Sequence, residues 1–470
     1  MSTSLEKDLS GIGVWLNATA AQLAGCRDRP VAVAVVSATS AWCVQRLADL
    51  NRWQARNPGR LKLIVIHVPR FDFEREPARA LKLMRRLGVT APILLDRHWQ
   101  AWQRLQVTAW PTLILFGADG VERTRLVGTE GEVERALNQL CDGAVAPLDP
   151  GVDAAELHPE PRLPLRFPQG IAVSGERVYV ADTGHHRVLE CTHQGRVLQQ
   201  FGMGTADMID GERGEAAFNR PQGLALDREW LYVADTGNHA LRRIHLLSGR
   251  VDTLCGTGRA GVLTEGAVEQ PRDVALNHPV GLALAGNHLH IAMAGTNQVW
   301  TYELGSRRLR WSCGVGALEV RDGGGQIAAF AQPVALAAVQ HTFYVADSLG
   351  SAIRSYQARG DVVQTLVGTS PWEFGATDGA RAQAQLQFPQ AIALGYEAPL
   401  LWIADSGNGL LRMLRFGGGD LTTVSLPRRL HGPAALAVSP GAVWVAETDA
   451  HGILRYDLDS GQLHDVAIDG

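Results

Sequence analysis

Close pairs of cysteines are missing from this sequence. The six cysteines, Cys26, Cys43, Cys141, Cys191, Cys255 and Cys313, never reach CxxC spacing, which argues against a zinc knuckle, a disulfide framework or a dithiol within one turn. Most of them read as reduced, small core residues. Long apolar runs are missing too. Nothing approaches the roughly 18 residues that a membrane helix needs, and the first 25 residues hold no apolar stretch of signal-peptide length. The expectation is a soluble, cytoplasmic protein without a membrane partner. Positive charge is not concentrated either: residues 1–150 carry 19 Lys and Arg against 15 Asp and Glu, and the remainder carries 25 against 33. An acidic second part is a poor surface for phosphates, so nucleic acid does not fit as a partner.

At 470 residues the chain is too long for one compact core. The first 140 residues alternate helical and strand patterns as α/β domains do. Predicted strands at 31–38, 61–68 and 92–96 alternate with predicted helices at 15–25, 43–56, 76–88, 98–106 and 130–140, and an apparent hairpin turns at Asp119-Gly120. The proline-rich, acidic stretch 144–164 reads as a linker between a domain at 1–143 and one at 165–470.

From residue 165 the sequence becomes a repeat. An apolar strand ends in Ala-Asp or a variant, a turn of small residues follows, and a second strand leaves: VYVADTGHHRVL, LYVADTGNHALR, HIAMAGTNQVW, FYVADSLGSAIR, LWIADSGNGLLR and VWVAETDAHGILR. Each phrase follows a strand announced by proline, and loops with Asp210-Gly211, Glu265-Gly266, Asp322-Gly323 and Asp378-Gly379 separate several units. Four short strands in each of six units predict an all-β six-bladed propeller.

Asp182, Asp235, Asp347 and Asp405, with Glu447 and Met293 as variants, invite a metal or catalytic reading. The simpler expectation is an Asx-turn in each blade, with Gly184, Gly237, Gly295 and Gly407 supplying a positive φ. His185, His186, His239, His288 and His290 lie at offsets that look non-equivalent, which argues against a shared metal ion. No metal and no cofactor is expected.

The phrases VADTGNHALRRI and RPQGLAL resemble NHL repeats, and six of them cover about 165–470. Upstream, VTAWPTLILF resembles the thioredoxin segment whose cis-proline faces the active site, which implies that role for Pro111. Together these features resemble the family in which a thioredoxin-like domain is fused to an NHL-repeat β-propeller. In that family the active-site turn reads CCxxC and a Pro-Asp-Leu follows in the helix. Here SATSAWC occupies the turn and Leu47-Ala48-Asp49-Leu50 follows. The resemblance thus implies Ser40 in the place of the attacking cysteine and Cys43 in that of its resolving partner. A second register starts a WCxxC at Trp42-Cys43 and finds Arg46 where the other cysteine belongs. Either register abolishes the dithiol, since a serine hydroxyl forms no disulfide. Ser40 then reads as a helix N-cap, and Cys26, across the strand, is a poor substitute partner.

Two functions from different classes follow. One is a binding or scaffold protein with a protein or peptide partner, whose degenerate first domain keeps a groove around Ser40, Cys43 and Pro111 and whose propeller is a rigid platform. The other is a monothiol redox protein using Cys43 for thiol-disulfide exchange or peroxide reduction, with Arg46 assisting or simply solvated. A propeller lyase or lactonase would need metal ligands from several blades.

Overall fold

A computed structural model describes residues 9, 11–18, 29–129, 131–142, 163–262 and 267–469. Cys26, the Glu265-Gly266 turn and residues 144–162 of the expected linker lie outside these. The chain divides into two compact units, Met1–Pro161 and Arg162–Gly470. Among the described residues no helix is long and apolar enough to cross a membrane.

The first unit is built on one six-stranded sheet. Its strands are β1 (Val14–Trp15), β2 (Val31–Val36), β3 (Lys62–His67), β4 (Ile93–Leu95), β5 (Thr112–Phe116) and β6 (Glu122–Val127), in the order β1-β4-β3-β2-β5-β6. Strands β2, β3 and β4 run parallel, while β5 runs antiparallel to β2. Every residue of β2, VAVAVV, is buried, as expected for a central strand covered on both faces. Period-two alternation then sorts its side chains. Ala32, Ala34 and Val36 join a core with helices α1 (Ala41–Arg56), α2 (Pro77–Arg86) and α4 (Val133–Cys141), and Val31, Val33 and Val35 join a second core that includes Ala101 of the short helix α3 (Gln100–Arg104). Along α1, Cys43, Leu47, Leu50 and Trp53 fall on one buried face.

Residues 15–18, the described part of the helix expected at 15–25, are not helical. Trp15 pairs with Leu94 in the edge strand β1, and the Asn17 side chain ties the chain to the backbone of Ala91 and Ile93; residues 19–28 lie outside the described set. The hairpin at Asp119-Gly120 is present, with Gly120 at φ +76°.

The second unit is a six-bladed propeller of four-stranded antiparallel sheets, with a short fifth strand added in blades 3 and 4. Each blade starts with a strand opened by proline or, in blade 1, by Gly170, and ends with an outer strand. The outer strand of the last blade is Leu463–Val466, which pairs with Gly452–Asp457. The segment 163–167 forms no strand. Leu165 instead fills the core between the first and last blades, and Arg196 bridges to Asp469.

The repeated acid is structural, but not through the expected Asx-turn. Its carboxylate is buried and accepts the backbone N–H of a residue 15 to 18 positions upstream, in the lead-in to its own blade: Arg166 on Asp182, Asn219 on Asp235, Ala331 and Gln332 on Asp347, Gln387 on Asp405 and His431 on Glu447. The positive φ is also displaced. It lies four residues after the acid, at His186, His239, Asn297, Ser351, Gly409 and His451. Gly184 and Gly237 serve another purpose: a Cβ on either would come within 2.6 Å of the carbonyl oxygen of Arg166 or Asn219.

The histidines are less scattered than their spacing suggested. His186, His239 and His451 hold one equivalent position, and the Nδ1 of each accepts the backbone N–H of Arg220, His278 or Phe167 in the next blade around the ring. Ser351 does the same for Phe388. The hydroxyls of Thr183, Thr236, Ser348 and Ser406 donate to the carbonyl of the proline that opens the next blade.

Blades 2, 4 and 5 add a buried arginine seven residues after the acid. Arg242 bonds Asp235 at 2.8 Å and the loop residue Asp210 at 2.9 Å, while Thr253 donates to the same Asp210 oxygen. Arg354 with Asp347, Asp322 and Thr365, and Arg412 with Asp405, Asp378 and Thr423, repeat the arrangement. Removing one partner of a buried pair strands the other charge. Arg354→Met should therefore destabilise the protein by about 3–5 kcal/mol in urea unfolding, whereas Arg52→Met, at the exposed pair with Asp49, should cost under about 1 kcal/mol. Near-equal losses would contradict this account.

Candidate functional site

The turn 37–43 links β2 to α1. Ser40 occupies the N-cap position with extended dihedrals, and its carbonyl accepts the N–H of Val44. Its side chain makes no capping bond to the helix, contrary to expectation. The hydroxyl turns instead to the sulfur of Cys43, the third residue of the helix. Placing the cysteine inside the first turn aims it inward, against Ala38 and Leu47 of the core. It is 0 % exposed, and Ser40 is 7 % exposed.

Burial controls the chemistry of this sulfur. Desolvation pushes the Cys43 thiol up to about 12, outweighing the downward pull of the Ser37 N–H, 3.3 Å from Sγ, and of the Ser40 hydroxyl. The thiol stays protonated at neutral pH, and the thiolate is the nucleophile in exchange chemistry. Arg46 is not solvated. It is 4 % exposed and donates to the carbonyl of Gly128 at 2.8 Å, tying α1 to the end of β6.

Pro111 follows Trp110 through a cis bond at the start of β5 and is buried. Ser40, Cys43 and Pro111 are all covered, so no open groove lies at these three side chains. Beside them, Trp99, Trp102 and Trp110 form a cluster with ring centroids 4.7–5.2 Å apart, and Trp99 donates to the carbonyl of Pro69. Such amphipathic rings cover a site while keeping a polar handle.

A second set of polar groups lies behind the turn. Glu74 is fully buried and accepts the backbone N–H groups of Arg70 and Phe71 at 2.9 and 3.0 Å. Ser37 donates to its other oxygen at 3.3 Å, and His67 Nε2 stands 3.6 Å from that oxygen. Desolvation raises Glu74 to about 7 and lowers His67 to about 4. Near neutral pH the histidine is uncharged and the carboxyl is poised. This group was missed in the sequence, where His67, Arg70 and Glu74 at the end of a strand next to the turn were the available signal. Among the described residues no cluster of His, Cys, Asp and Glu could hold a metal ion.

With this geometry in view, a family model for the NHL repeat matches residues 165–191. The chain is similar to NHL repeat-containing protein 2 of Gallus gallus, at 30% identity over 89% of its own length and 65% of the relative's. It therefore spans just under two thirds of that protein. It is also similar to Protein SUPPRESSOR OF QUENCHING 1, chloroplastic, of Arabidopsis thaliana, at 28% identity over 89% of this chain and 43% of that one. Its first part is similar to Thiol-disulfide oxidoreductase YkuV of Bacillus subtilis, at 22% identity over 28% of this chain and 91% of the relative.

Glu74 gives the site a pH signature. A carboxyl whose folded pKa is raised contributes stability at low pH and loses it as pH climbs from the ordinary 4.5 to the folded value of about 7. Glu74→Gln removes that titration. Relative to wild type, the variant should gain stability on the order of 3 kcal/mol between pH 4.5 and pH 7.5. His67, displaced the other way, loses its contribution as pH falls from about 6.5 to 4 and is present in both proteins. A wild-type-minus-variant difference that stays flat with pH, measured by urea unfolding, would exclude this account of Glu74.

Proposed function

We propose that this chain, a thioredoxin-like domain joined to an NHL-type six-bladed propeller, is a binding or scaffold protein that does not turn over as a dithiol. The observation that carries the reading is the buried sulfur of Cys43, which faces the Ser40 hydroxyl where dithiol exchange needs a second sulfur. The two side chains stand in the N-cap and third helical positions, three residues apart, as the attacking and resolving cysteines of a CxxC turn would. The opposite register, with Cys43 as the exposed attacking thiol, is opposed by its complete burial. The monothiol alternative needs an accessible thiolate, and a thiol held near 12 supplies little of one.

The propeller is the part suited to a protein or peptide partner. Among the described residues five of the six blade turns bond a backbone group of the next blade, which makes a rigid frame for surface loops. Its acidic composition disfavours nucleic acid. The described cysteines are free and buried, which fits a reducing compartment such as the cytoplasm.

Two measurements test the proposal. In a protein retaining only Cys43, maleimide labelling should be slow and should accelerate only under unfolding conditions; fast labelling with an apparent pKa well below 8.5 would establish the monothiol alternative. The substitution Ser40→Cys should create a pair that oxidises to an intramolecular disulfide and confers disulfide-reductase activity that the parent lacks. Reductase activity in the parent would defeat the proposal.

A further inference from the structure

Blade 3 breaks the repeat at linked positions. Where blades 2, 4 and 5 have acid, arginine and threonine, blade 3 has Met293, Trp300 and Trp311, with Trp300 paired to Trp311 across the two outer strands. Met293 and Trp300 are fully buried. In the lead-in to this blade Ala267–Val268 pairs along the outer strand, as Gly323–Gly324 does in blade 4, and Pro271–Asp273 adds a short 3₁₀ turn. Beside that turn, between blades 2 and 3, lies a cavity of about 790 Å³. This is within the roughly 300–1,000 Å³ of small-molecule sites.

The apolar wall comes from Trp230, Leu254, Pro271 and Leu304. Polar groups also line it. Tyr302 is buried and lines the cavity, and burial pushes its hydroxyl up to about 12, so it remains protonated at neutral pH. Arg243, Arg272 and Arg307 all act on it electrostatically. Arg243 also lies over the Trp230 ring, 3.8 Å from its centroid, which keeps its N–H edge directed.

The carboxylates along the cavity are mostly engaged. Asp227 accepts from the Tyr232 hydroxyl and two backbone N–H groups, Asp252 pairs with Arg243 and Arg250, and Glu269 pairs with Arg308. Asp273 is the remaining one. On the cationic side Arg272 is held by Asp210, while Arg307, exposed at a turn, has no carboxylate partner among the described residues. The uncommitted donors are thus the Tyr302 hydroxyl and Arg307.

We propose that this cavity binds a small organic anion with a flat apolar body, its carboxylate received by Tyr302 and Arg307 and its body laid against Trp230 and Leu304. The site rests on the propeller alone, so its failure would leave the reading of the thioredoxin-like domain untouched. The test titrates the full chain with 2-naphthoate and, separately, with the neutral isostere 2-naphthamide by saturation-transfer NMR. Naphthoate should bind saturably and about tenfold more tightly than the amide, a difference of about 1.4 kcal/mol. Arg307→Ala and Tyr302→Phe should each weaken naphthoate at least about fivefold, while Arg359→Ala on blade 4 should leave it unchanged. Absence of saturable naphthoate binding, equal affinity for acid and amide, or unaltered binding in Arg307→Ala with native thermal unfolding would each overturn the proposal.

Discussion

A carboxylate without water must be given partners, and the propeller is organised around meeting that demand. At the end of the second strand of five blades stands a buried acid, and leaving it unpaired would cost several kcal/mol. Its first oxygen fixes the lead-in to its own blade through a backbone N–H. The residues just after it act on the neighbour, through a hydroxyl on the opening proline's carbonyl and a side chain at positive φ on a backbone N–H. One turn therefore sets the position of two blades. A ring assembled this way needs no exchange of strands between its first and last blades, because His451 performs for Phe167 what His186 performs for Arg220.

The thioredoxin-like domain handles polarity in the same way but with the opposite chemical result. Its sheet buries VAVAVV on both faces, and the turn leaving that strand is drawn under the surface with it. Ser37, Ser40 and Cys43 satisfy one another, and Glu74 and His67 complete a polar layer behind them. Desolvation dominates each of these groups, holding the cysteine protonated and the histidine neutral. A redox turn needs its sulfur poised at the positive end of the helix and open to a substrate disulfide. Here the helix end is intact while the side chain at its tip is a serine.

Much of this was legible in the sequence because it is local. Alternating apolar residues gave the strands and the recurring Ala-Asp phrase gave six blades. The contacts that were not legible join residues far apart in number. Nothing adjacent to Asp235 shows that it meets Asn219 behind it, Arg242 ahead of it and, through that arginine, Asp210. The positive φ was assigned to the glycine two residues after the acid, whereas it lies four residues after it, and at His186, His239, Ser351 and His451 the side chain there reaches the next blade. That residue is histidine in three blades and serine in a fourth, which is why the histidines looked scattered. Glu74 escaped for the same reason, since its value lies in Ser37 and His67, which precede it by 37 and 7 residues.

Blade 3 shows what the carboxylate constraint permits when it is lifted as a unit. Replacing a buried acid and its arginine together by apolar residues removes both desolvation penalties along with the attraction, so the exchange can be close to neutral. Met293, Trp300 and Trp311 have the volume for it, and the indole N–H groups of Trp300 and Trp311 find Gln298 and the carbonyl of Gly314. Keeping the buried arginine without the acid would strand a charge, and Met293 with Trp300 avoids that. The lead-in to this blade has no arginine to meet and carries the 3₁₀ turn Pro271–Asp273. Tyr302 and the Trp230–Arg243 stack line the cavity beside that turn.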